Sequence, residues 1–133
     1  MQAHGLLSKQ SYSEAFHIFQ ELSRDNYASA DHFLAWMYEQ GLGTEQDDLK
    51  AFEYYMFSAK AGDGVSQYGV GMYYLEGTAV DQDYIKAYYW LSRSAQFAEQ
   101  DPDSECGAKA ELKKLASKLT KEQLVEAQQL FKP

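Results

Sequence analysis

A shift of 36 residues lays the middle of this chain onto itself, and a repeat of that length restricts the fold more than any other feature of the sequence. Tyr38-Glu39-Gln40-Gly41-Leu42-Gly43 falls on Tyr74-Leu75-Glu76-Gly77-Thr78-Ala79, Gln46-Asp47 on Gln82-Asp83, and Lys50-Ala51-Phe52 on Lys86-Ala87-Tyr88. Tyr54 falls on Trp90, and Ser58-Ala59 on Ser94-Ala95. The same shift backwards puts Ala51-Phe52 on Ala15-Phe16 and Tyr55 on Phe19, a more degenerate copy of the second half of the unit. A unit of this size cannot bury its apolar side alone, so its copies must stack.

Each unit reads as two helices joined by a turn. Ala30, Leu34 and Tyr38 recur every four positions, as do Ser66, Val70 and Tyr74, which marks one face of a first helix. Ala35 and Gly71 lie beside that face, where small residues let a neighbouring helix approach. Gly41 and Gly77 follow the last periodic residues and can adopt the left-handed conformation that stops a helix. Asp47 and Asp83 precede the next apolar series and are placed to cap free N–H groups of a second helix. In that helix Ala51, Tyr54, Tyr55 and Ser58 share a face, matched by Ala87, Trp90, Leu91 and Ser94. Near the C-terminus Leu112, Leu115, Ala116 and Leu119 trace a further stripe. Thr120-Lys121-Glu122-Gln123 then reads as a capping box opening a last helix with Leu124, Val125, Ala127, Leu130 and Phe131.

These signals predict an all-α fold, an α/α superhelix of about seven antiparallel helices with no sheet. The expected spans are 11–24, 28–39, 47–61, 64–75, 83–97, 103–118 and 121–131. The chain reads as one domain over 1–133, composed of a degenerate half-repeat at 11–27, repeats at 28–63 and 64–99, and capping helices at 100–133. At 133 residues, 45% apolar and with Pro only at 102 and 133, it has material for one core and long stretches free to be helical.

The repeat, with its Tyr-x-x-Gly-x-Gly turn, an Asp four residues on and then Lys-Ala-x-x-aromatic, resembles the Sel-one-like repeat (SLR) family, relatives of the tetratricopeptide repeat. The residues that carry the resemblance are Ala30, Leu34, Tyr38, Gly41, Gly43, Asp47, Ala51, Tyr54 and Ala59. In the second copy they are Gln67, Gly71, Tyr74, Gly77, Val80, Asp83, Ala87, Trp90 and Ala95. Ser66 stands where the family has Ala, Ala35 where it has Gly, and Ala79 where it has the second turn Gly, so the second turn is where a departure in geometry is to be looked for. The resemblance implies a right-handed superhelix whose first helices line the concave side. It also implies an adaptor role, and for some bacterial members neutralisation of secreted effectors.

Charge and chemistry narrow the function. The net charge is −8, and between Asp25 and Glu105 fifteen acidic residues face four basic ones, whereas from Cys106 onward six basic residues face three acidic. No basic stripe is present for phosphate, so the sequence argues against nucleic acid, and the acidic middle suits a partner with a basic surface. No run of about 18 apolar residues is present for membrane insertion. His4, His17 and His32 have no metal-ligand spacing, and the lone Cys106 can form neither an intrachain disulfide nor a cysteine cluster. The carboxylates at Asp47-Asp48 read as a cap with a solvated neighbour; those at Asp101, Asp103 and Glu105 lack the Gly and terminal Glu of a calcium loop. No nucleophile elbow, phosphate loop or dinucleotide fingerprint occurs. The sequence thus calls for no cofactor, metal or catalytic residue. It reads as cytoplasmic, or as periplasmic or secreted if a signal peptide preceded Met1. The half-unit at the start also fits a portion of a longer array.

What remains for function are bulky and polar residues at first-helix positions the repeat does not need. In the first unit these are Asp31, Phe33, Trp36, Met37 and Gln40; in the second, Gln67, Met72, Tyr73 and Glu76. Aromatic and Met side chains within a polar rim are the composition of a recognition surface. They point to a module that holds a peptide or partner protein in its groove. The alternatives are an effector-neutralising protein and, in another class, an enzyme acting on cell-wall or β-lactam substrates.

Overall fold

The computed structural model describes residues 9–25, 27–100 and 107–130. Among them are seven helices and no strand: α1 (Lys9–Arg24), α2 (Ala28–Gln40), α3 (Asp48–Lys60), α4 (Gly64–Glu76), α5 (Tyr84–Gln100), α6 (Ala108–Ala116) and α7 (Lys121–Gln129). Each of α1 to α5 packs on the next, and α7 returns onto α5. This succession of neighbouring helix pairs is an all-α repeat solenoid. The predicted ends differ from the observed ones by a few residues, chiefly at α6, which begins at Ala108 and not at 103; residues 101–106, with Cys106 and the acidic cluster, lie outside the described residues. His4 and Phe131 do so too.

The repeat is built by the same local chemistry twice. Gly41 and Gly77 are left-handed, at φ 70° and 72°, and the chain turns back so that Leu42 N–H reaches Met37 C=O and Thr78 N–H reaches Tyr73 C=O. Asp47 N–H then bonds Tyr38 C=O and Asp83 N–H bonds Tyr74 C=O, each at 2.9 Å. The Asp47 carboxylate accepts from Lys50 N–H, and that of Asp83 from Ile85 and Lys86 N–H, so both start the following helix.

The turn's second left-handed residue is Gly43 at φ 74° in the first copy and Ala79 at φ 62° in the second. Replacing Gly with Ala therefore leaves the turn's geometry intact and stores strain instead. Ala79→Gly is expected to stabilise the protein by about 0.5–1 kcal/mol, the left-handed penalty less the entropy gained by an unfolded Gly. A melting temperature equal to or below that of the parent would contradict it.

Three clusters form one continuous core. The first joins α1 to α2 through Phe16, Leu34 and Met37. The second joins α2, α3, α4 and α5 through Ala35, Ala51, Tyr55, Ala59, Val70, Tyr73 and Trp90. The third closes the C-terminal end, with Ala87, Leu91 and Ala95 against Ala108, Leu115 and Leu119. Gly71 shows why the small residues matter: a Cβ there would lie 2.8 Å from Leu91 Cγ and 3.2 Å from its backbone N. The capping box of α7 is present, with Gln123 N–H to Thr120 Oγ1 and Thr120 N–H to Gln123 Oε1. Of the apolar residues expected on α7, Ala127 is buried and Leu124 packs, whereas Val125 and Leu130 are exposed.

Candidate protein-binding face

The first helices of the two units, α2 and α4, are linked by polar side chains as well as by α3 between them. Glu39 of α2 accepts from Tyr73 Oη of α4 at 2.7 Å and from Tyr55 Oη of α3 at 3.2 Å. Burial, and then the Glu39 carboxylate, push both phenols well above the usual tyrosine range. At the other end of the helices, Asp63 caps α4 and gathers four donors: Ser66 N–H, Ser66 Oγ, Ser58 Oγ and His32 Nδ1. Burial alone would raise the Asp63 carboxyl, but the bonds from His32, Ser66 and Ser58 outweigh it and hold it at about 2. The two first helices are therefore held side by side at both ends.

On α2 the outward stripe is Phe33, Trp36 and Gln40, at three- and four-residue spacing. Phe33 is 45% exposed and Trp36 40%. Phe33 is stacked on Phe19 of α1, with ring centroids 4.9 Å apart at 17°. The repeat shift carries this stripe to Gly69, Met72 and Glu76 on α4, and Val65, one turn before, is exposed on the same side. Met72 is half-buried against the C-terminal cluster and Glu76 is exposed. Asp31 is half-buried and accepts a hydrogen bond from Ser23 Oγ. The structure thus brings Phe33, Trp36, Gln40, Met72 and Glu76 to one pair of neighbouring helix faces, with Asp31 beside them.

Three of the residues expected on that face stand elsewhere. Met37 is 2% exposed and belongs to the core with Phe16 and Leu34. Tyr73, its counterpart in the next unit, is 5% exposed and spends its hydroxyl on Glu39. Gln67 is 3% exposed and donates to Ala59 C=O. The cause is common to all three. A packed helix buries positions three as well as four residues apart, so 37 follows 34, and 67 and 73 flank 70, on an inward stripe wider than one four-step row. Sequence reasoning passed over Val65, Glu39 and Asp63, and it weighed His32 and Ser66 without finding the polar links they make. Only Asp63 carried a local signal, as an Asp directly before a helix.

Among the described residues no three His, Cys, Asp or Glu side chains gather as a metal site, and no helix is long and apolar enough to cross a membrane. Stacked antiparallel helix pairs and repeated turns define an α-helical repeat protein of the solenoid class, with two exposed aromatics on α2. Within that class the chain belongs to the Sel1 repeat family, whose model matches residues 1–27, 28–63 and 64–96. The first of these repeats contains the half-unit seen at 11–27. A protective antigen of uropathogenic Escherichia coli strains, displaying an SLR fold, superposes over 92% of this chain and 25% of its own, with a TM-score of 0.83 at 24% identity. A Sel1 repeat protein from Oxalobacter formigenes does so over 75% of this chain and 38% of its own, with a TM-score of 0.67 at 25% identity. The chain therefore spans well under half the length of either. No curated protein matches the sequence. Sel1 repeat proteins generally mediate protein–protein interaction and typically act as non-catalytic scaffolds.

Proposed function

We propose that this chain is an adaptor that binds a peptide or a helix of a partner protein along the outward stripe of α2 and α4, the side that the family resemblance makes concave. The observation that carries the reading is the exposure of Phe33 and Trp36, 45% and 40%, at positions where the next unit has Gly69 and Met72. The next unit folds without aromatics there; Phe33 stacks one face on Phe19 of α1, and the exposed remainder of Phe33 and Trp36 is apolar surface offered to another molecule. Gln40, Glu76 and Asp31 supply a polar, acidic rim, which favours a target with basic groups at its edge.

The test is capture from the native organism, followed by titration of the isolated partner. The Phe33→Ala/Trp36→Ala double variant is expected to weaken binding at least tenfold with an unchanged circular dichroism spectrum. Unaltered affinity in that variant would sink the assignment. Tyr73 is unsuitable for this purpose, since its removal breaks the link to Glu39. The acidic middle of the chain also supports a second reading, neutralisation of an effector through a basic surface. In that case affinity falls steeply between low and physiological salt, which a hydrophobic stripe alone would not produce.

A further inference from the structure

The outer side of α3 carries an apolar patch that the repeat does not call for. Phe57 is 65% exposed, among the largest values for an apolar side chain in the described residues. With Phe52, Glu53, Met56 and Lys60 it lines a shallow hollow of about 390 Å³. The repeat shift takes Met56-Phe57 to Gln20-Glu21 on α1 and to Ser92-Arg93 on α5, polar in both copies. Arg93 lies folded over the rings of Tyr89 and Trp90, covering them. Among the described residues, the central unit alone carries a bare aromatic ring at this position of the second helix.

The arrangement of these residues selects an occupant. Glu53, Met56, Phe57 and Lys60 are three, four and seven residues apart and form a diamond on the helix surface. The acid is at its N-terminal tip, the base at its C-terminal tip and the apolar pair across the middle. Glu53 and Lys60 are exposed and have no ion-pair partner among the described residues. A two-fold axis through the middle of such a diamond, perpendicular to the helix, exchanges its tips. With that axis in the plane of contact, Glu53 meets Lys60 of a second copy at both ends, and between them Met56 meets Met56 and Phe57 meets Phe57. A patch whose charges pair with their own images is the requirement of an isologous interface.

We infer that the protein self-associates as a two-fold dimer through antiparallel contact of α3 with α3 of a second copy, leaving the α2/α4 face of each copy free. One helix-on-helix contact is smaller than the roughly 1,200–2,000 Å² of a standard stable interface, so the dimer is a weak one that concentration controls.

Sedimentation velocity of the full chain from about 5 to 500 μM, a range suited to a weak contact, reads the outcome. The expected result is a rise in average mass towards twice that of one chain. Phe57→Ser is expected to raise the dissociation constant at least tenfold. Phe57 is exposed, so a melting temperature close to that of the parent separates lost contact from lost fold. E53K and K60E should each weaken the dimer, because like charges then face each other at both tips. The double variant E53K/K60E, and an equimolar mixture of the two single variants, should restore it. A monomer throughout the range overturns the proposal and leaves the patch to a different protein. Dimerisation unaffected by Phe57→Ser, or charge reversals that fail to compensate, overturns it as well.

Discussion

Gly43→Ala is expected to lower the melting temperature by on the order of 10 °C, the largest loss from adding a single methyl group to this protein. Gly43 has φ 74°, where an L side chain costs about 1–2 kcal/mol. Its added Cβ would also stand 2.4 Å from the carbonyl oxygen of Tyr12 and 2.7 Å from its carbonyl carbon. These are backbone atoms of α1, which cannot rotate aside as a flexible side chain would. Either the turn between α2 and α3 or the whole of α1 must shift. Overpacking of this kind adds about 1–3 kcal/mol to the backbone strain. Gly62→Ala is the matched control: φ is 104° but no atom lies within 4 Å, so only strain is paid. A thermal melt in which Gly43→Ala and Gly62→Ala shift equally would show that α1 does not press on the turn.

Asp63→Ala is expected to cost about 2–4 kcal/mol, combining a lost N-cap with stranded hydroxyls. Ser58 and Ser66 are fully buried, and both spend their hydroxyls on the Asp63 carboxylate. His32 joins them from α2 at 2.8 Å. Removing the acceptor therefore affects three helices at once. The same group gives the protein an acid-sensitive joint. Its folded value, about 2, lies below the ordinary 3.8, so the stabilisation is complete above pH 3.8 and is lost as pH falls through 2. Asp63→Asn can still accept Ser66 N–H but has no charge to lose. Denaturant melts between pH 5 and pH 2 should show a smaller pH-dependent loss in Asp63→Asn than in the parent; parallel curves would refute the role.

Much of the fold was legible because the repeat is written in short-range chemistry. Gly41, Gly77, Asp47 and Asp83 act within a turn of their own position, and so they could be assigned from spacing alone. The core faces of α2 and α4 were legible in part. A four-step row found Leu34 and Val70 but not Met37 and Tyr73, because the buried width of a helix is set by what packs on it. Val125 and Leu130 err in the opposite direction: apolar in sequence, they face outward where no neighbour covers them.

The candidate site divides in the same way. By itself the sequence determined the repeat, the helix pairs, the caps and the family, since all of these follow from periodicity and from residues that act on adjacent backbone. It also singled out Phe33 and Trp36 as aromatics the repeat does not require. The tertiary structure alone decided which bulky residues reach solvent. It also alone showed that Glu39 and Asp63 lock neighbouring helices together, across 34 residues from Glu39 to Tyr73 and 31 from His32 to Asp63. The physical reason is that exposure and hydrogen-bond partnership belong to pairs of helices, and a residue's own neighbours in sequence do not encode the orientation of the helix that stacks against it.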